Sequence, residues 1–160
     1  MAKTYEPIAT TTLGSAAADV TFTSISGTYT DLVLVAVTQI GSSGDYLGVQ
    51  FNSDTGSNYS RTRISGDGTS ATSEGDSSIV RLNFYAQPTS NFAVNRLNIM
   101  NYSNTTTYKT VLCRTDQAAF NTNAYVGLYR SASAITSIKL IGPSNFSTGS
   151  TFTLYGIAAA

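Results

Sequence analysis

The side chains able to do acid–base work in this chain are carboxylates and little else. Asp45, Asp54, Asp67, Glu74, Asp76 and Asp116 are the candidates. A glycosidase needs two such groups, held about 5 Å or about 6.5–9.5 Å apart. All but Asp116 fall in the first half of the chain, beside Gly or Ser, where carboxylates commonly solvate turns. The chain has no His, no Trp and one Cys. Ser-His-Asp and Cys-His arrangements therefore cannot form within it, and zinc lacks its ordinary ligands. Cys113 lies in the apolar run Thr110-Val111-Leu112-Cys113-Arg114 and reads as a buried small hydrophobe. Asn52-Ser53-Asp54-Thr55-Gly56-Ser57-Asn58 spaces oxygen ligands two apart around a glycine. It lacks the closing Glu of an EF-hand, so it reads as a polar hairpin turn, with calcium as the open alternative. Gly41-Ser42-Ser43-Gly44 is a turn with no helix to follow it, not a phosphate cradle. No catalytic residue, cofactor or metal is assigned: the chain reads as a non-enzyme that works by shape and contact.

Charge narrows the partners. Nine basic and nine acidic residues give a formal net charge of +0. Phosphate backbones call for clustered Lys and Arg, so nucleic acid is not expected as a partner. Only Arg61 and Arg63 stand close together, where a strand would put them on one face as a small local patch. No run approaches the ~20 apolar residues that cross a bilayer, and Met1–Pro7 has no apolar signal core. A soluble protein made in a cytosol, with no membrane partner, is expected. The sequons at Asn58, Asn101, Asn104 and Asn145 are then chance matches in an Asn- and Ser/Thr-rich chain. Without His, no side chain has an unperturbed pKa between about pH 6 and 8, so no charge switch is expected in that window.

The elements that must position these residues read as strands. Asp31–Val37 is short, continuous and β-branched, as a strand buried on both faces should be. Leu47, Val49 and Phe51 alternate with Gly48, Gln50 and Asn52. Ala124, Val126 and Leu128 alternate with Tyr125, Gly127 and Tyr129, and Phe152 and Leu154 with Thr151, Thr153 and Tyr155. A period of two sends one set to a core and the other outward. Further strands are predicted over 5–13, 19–25, 58–64, 79–85, 92–102, 108–114 and 134–141, separated by Gly, Asn, Ser and Pro. Such spacing predicts an all-β fold: an antiparallel β-sandwich, jelly-roll-like. Residues 1–12 form an arm or edge strand, kept there by Pro7, and residues 13–160 a single sandwich domain. Gly66–Ser77 has no apolar bulk and is expected to be an exposed loop. Tyr suits half-wet contact surfaces. Tyr125, Tyr129 and Tyr155, opposite their apolar neighbours, are candidates for a contact face, with Tyr5, Pro7 and Ile8 on the arm.

Several stretches have a familiar look. They are Gly27-Thr28-Tyr29-Thr30-Asp31-Leu32-Val33-Leu34-Val35, Phe51–Ser60, Asn101–Thr110, Ala134–Ile138 and Gly149-Ser150-Thr151-Phe152-Thr153-Leu154-Tyr155-Gly156-Ile157. Together they resemble small virion structural proteins of tailed bacteriophages, many from phages of cyanobacteria. The resemblance spans about Tyr5 to Ile157, and its motifs are turns and strands. It implies a capsid decoration, or cement, protein on the outer capsid surface, bound to the major capsid protein of the same particle. It supplies no catalytic residue. Repeated attachment favours a homo-oligomer, a dimer or trimer on a symmetry axis. Low charge implies attachment that resists salt. The alternative is a tail-associated domain that binds host-surface glycans through Tyr, Asn and Asp of the Gly41–Ser77 loops.

Overall fold

The computed structural model describes residues 4–41, 46–85, 89–117 and 121–158. Lys3, Gly44, Asp45 and Pro88 lie outside the described residues. Every regular element is a strand: β1 (Tyr5–Thr12), β2 (Ala17–Phe22), β3 (Asp31–Thr38), β4 (Tyr46–Phe51), β5 (Tyr59–Gly66), β6 (Ala71–Ile79), β7 (Leu82–Tyr85), β8 (Ala93–Met100), β9 (Lys109–Gln117), β10 (Asn121–Tyr129), β11 (Ile138–Phe146) and β12 (Thr151–Ile157). An eight-stranded sheet runs β1-β12-β3-β8-β9-β10-β5-β6, and a four-stranded sheet runs β2-β11-β4-β7. Each pairing is antiparallel. The fold is the antiparallel β-sandwich that the alternation predicts.

One core fills the space between the sheets. Phe22, Phe51, Phe84, Leu140 and Phe146 come from the small sheet. Leu34, Leu97, Val111, Phe152 and Leu154 come from the large one. Ring contacts tie the two layers: Phe51 to Tyr129 at 5.4 Å, Phe84 to Tyr125 at 5.2 Å and Phe146 to Phe152 at 5.1 Å between centroids. Such separations suit aromatic pairs, which add about 1 kcal/mol each beyond area burial. Gly127 lets the layers close, because a Cβ there would stand 2.9 Å from Leu82 Cδ1.

Three expectations change. Tyr125 and Tyr129 point into the core, at 3% and 2% exposure, rather than outward. Their apolar neighbours Ala124 and Val126 face solvent instead. Both faces of β10 are apolar, and the small sheet covers the one carrying Gly127, where it can approach most closely. Second, Gly66–Ser77 is no loop: it is most of the β5–β6 hairpin. The Asp67 Oδ1 accepts the Thr69 and Ser70 N–H groups at 2.8 and 2.7 Å, and Gly68 takes φ 85°. Third, the chain does not break at Gly142-Pro143. β11 runs through it, with its register against β2 shifted between Ile141 and Phe146. The shift accommodates a proline that has no N–H for the ladder.

The sequence-expected edge strand is β1. It pairs with β12, and its register slips between Pro7 and Ala9. The bulge turns Ile8 partly inward, against the core. At the start of β9 Lys109 is buried, and its Nζ donates to the carbonyls of Thr107 at 2.7 Å and Ala132 at 3.2 Å. Burial holds that ammonium below its ordinary pKa.

Candidate interaction face on the large sheet

Eight strands cannot be covered by four. The inner face of the large sheet is occupied by the small sheet, and its outer face meets solvent. The register lays side chains of this outer face in rows. Pro7, Tyr155, Val33, Asn98, Leu112, Val126 and Thr62 follow one another across seven strands from β1 to β5. The adjacent row carries Thr10, Thr153, Val35, Arg96, Arg114, Ala124 and Ile64. Ile64 is 63% exposed, Val126 52% and Leu112 40%, with Met100 and Val94 also exposed nearby. The middle of this surface forms a groove of about 610 Å³, with Ile64, Leu112, Ala124 and Val126 as apolar walls and Arg96, Asn98 and Arg114 as polar lining. A smaller hollow continues it toward Tyr5, Val33, Met100 and Ile157.

Of the residues singled out from the sequence, Tyr5, Pro7 and Tyr155 reach this face. The Tyr5 and Tyr155 rings meet edge-on at 6.4 Å, and Arg96 Nη2 donates to the Tyr5 hydroxyl at 3.3 Å. Ile8 is turned toward the core, and Tyr125 and Tyr129 lie within it. Leu112, Val126, Ile64, Arg96 and Arg114 were not singled out. The signal that could have found them is Gly127 between Tyr125 and Tyr129. A glycine flanked by large rings marks the side where another layer approaches, so the opposite side of β10 must be the free one.

The carboxylates are drawn into other work. Asp54 accepts the Gly56 N–H at 2.8 Å and the Asn58 side-chain amide at 2.9 Å. Burial alone would raise the Asp54 carboxyl, but hydrogen bonds from Asn58, Gly56 and Tyr129 outweigh it and hold it below its ordinary value. Asn52 Oδ1 accepts the Thr136 N–H at 2.8 Å, so the main oxygen atoms of this turn are already engaged by N–H donors. Among the described residues no three of His, Cys, Asp and Glu gather as metal ligands. Glu74 lies 3.1 Å from Arg61 Nη2, which Asp76 also pairs, and Glu74 reaches Arg63 at 3.1 Å. The expected Arg61/Arg63 patch is thus neutralised, and Arg61 is buried with its guanidinium 4.5 Å over the Tyr85 ring. Cys113 is buried as expected, and burial, then the Asp116 charge, pushes its thiol well up.

Neither a protein-family model nor a curated protein matches the chain. No helix among the described residues is long and apolar enough to cross a membrane.

Proposed function

We propose that this is a structural protein that docks through the outer face of its large sheet, and that its role is capsid decoration on a tailed-phage particle. The observation that carries the docking reading is the run of exposed apolar residues, Ile64, Leu112 and Val126, on a face that no other element among the described residues covers. Contiguous apolar patches of this kind mark contact sites. The turn and strand motifs resembling small phage virion proteins supply the setting: the major capsid protein as partner and the outer capsid surface as location. A dimer or trimer on a symmetry axis would multiply each contact. The carboxylates engaged in turns and ion pairs support the non-enzymatic reading.

Glycan binding on a tail is the weaker alternative. The groove offers Arg and Asn, but its lining ring, Tyr125, is buried at 3% exposure, and Tyr59 in the Gly41–Ser77 segment expected to hold a sugar is buried at 0%.

The first test is stoichiometry by mass spectrometry on purified particles. Shell decoration requires hundreds of copies, whereas a handful would place the protein on the tail. The second is Val126→Asp. It puts a charge on the open face, where surface changes move stability by only about 0.5 kcal/mol. The variant should fold normally and fail to attach to particles stripped of the protein. Normal attachment would show that this face is not the docking surface.

A further inference from the structure

The groove holds a charge arrangement that the fold does not need. Arg96 and Arg114 are direct cross-strand partners on the outer face. Like charges placed directly opposite one another destabilise a sheet. Among the described residues no carboxylate lines the groove. Arg114 Nε turns aside to Asp116 at 2.7 Å, and Arg96 reaches the other way to the Tyr5 hydroxyl. Beside them, Asn98 Oδ1 is buried without a hydrogen-bond partner. Two arginines at directly paired positions and a buried side-chain carbonyl without a partner, between apolar walls, are a local conflict of the sort proteins retain at functional sites.

We infer that the groove receives an extended acidic–apolar segment of a partner protein. One Asp or Glu carboxylate of that segment sits between Arg96 and Arg114, and apolar side chains two residues to either side lie on Leu112, Val126 and Ile64. An extended segment presents alternate residues to one side, which matches apolar contacts flanking a charged one. Arg takes carboxylates bidentately, in a stronger bond than neutral partners make. A second copy of this chain fits poorly, because a two-fold axis through the groove would set two such guanidinium pairs against each other. The inference rests on the reading of this face as a docking surface and names what docks there.

The test uses the full-length protein, nitrogen-15 labelled, with three capped pentapeptides: Val-Thr-Glu-Thr-Val and the versions with Gln or Lys at the centre. The Glu peptide should produce saturable shifts at Arg96, Asn98, Arg114, Leu112 and Val126. The Gln and Lys peptides should bind roughly tenfold more weakly or not at all, as should the Glu peptide to Arg114→Gln. Equal binding of the Gln peptide, shifts centred elsewhere, or no binding by any peptide overturns the inference. So does glucuronic acid binding as tightly as the Glu peptide, which would favour a glycan. Concentration-dependent shifts of the free protein at the groove would assign it to a second copy and also overturn it. Particle attachment separates this inference from the one it rests on. If Val126→Asp abolishes attachment while Arg96→Gln and Arg114→Gln both retain it, the docking face stands and the acidic occupant falls. If Val126→Asp attaches normally, the face itself falls.

Discussion

At the scale of single residues, three small positions, Gly127, Asp54 and Asp67, carry more of this fold than their size suggests. Gly127 sits where the two sheets come closest, and any Cβ there meets both Leu82 methyl carbons at about 3 Å. Overpacking a tight core typically costs about 1–3 kcal/mol. Gly127→Ala should therefore lower unfolding stability by about 2 kcal/mol, measured by urea titration. Gly14 has nothing within 4 Å of its added Cβ and is the control. Asp54 and Asp67 brace their turns by accepting hydrogen bonds. Both carboxyls sit below their ordinary pKa: Asp67 through the Ser70 and Thr69 N–H groups, Asp54 through bonds that overcome its burial. A depressed carboxyl stabilises the fold above its unfolded pKa, and that contribution is lost as pH falls through the folded value. Stability should thus be level from about pH 5 to 8 and decline below about pH 4, and Asp54→Asn should shallow the decline. A fall between pH 6 and 8 would contradict the assignment, since the chain has no His.

At the scale of elements, legibility followed how much apolar pattern each strand carries. β3, β4 and β12 declare themselves, because one or both of their faces are hydrophobic and the sandwich buries them. β6 carries no such pattern. Seven of its residues are Ala, Thr, Ser, Gly or Asp, and nearly all are exposed. It forms through its backbone ladder with β5 and the ion pairs it brings to Arg61. Hydropathy cannot register either contribution. The reversed faces of β10 have a related cause: the alternation was read correctly, but both sets are apolar, and only the position of the second sheet decides between them. That Tyr5 and Pro7 lie on the surface was legible because Pro7 keeps their strand at an edge, and the outward side of Tyr155 because it alternates with Phe152 and Leu154. Arg96 and Arg114 were not, because a strand-to-strand register is needed to bring them together. The Arg61 network gives β6 a test. Removing both carboxylates strands a buried guanidinium, though solvent at their half-exposed oxygens moderates the cost. Glu74→Gln with Asp76→Asn should destabilise by about 2 kcal/mol in denaturant titration, and Arg61→Met should cost less.

At the scale of the whole molecule, the pairing is dominated by strands distant in sequence. β1 joins β12, β3 joins β12 and β8, and β10 joins β5. Folds built this way close their loops before contacts reward them, and they fold in milliseconds to seconds rather than microseconds. β12 is central to that closure: it stands between β1 and β3, and it brings Phe152 and Leu154 to the core. A chain ending at Ser150 should show no dispersed amide spectrum, while one ending at Ile157 should match the full chain. A native spectrum from the shorter chain would mean that β1 pairs with β3 unaided. The position of β12 also bears on when the outer face forms during synthesis. Translation proceeds at about 5–20 residues per second, and the row Pro7–Tyr155–Val33 is completed only when β12, made after the other eleven described strands, joins β1 and β3. The outer face is therefore incomplete on a growing chain until β12 has been made. A chain interrupted before that point lacks the row, and it leaves β1 without its ladder partner.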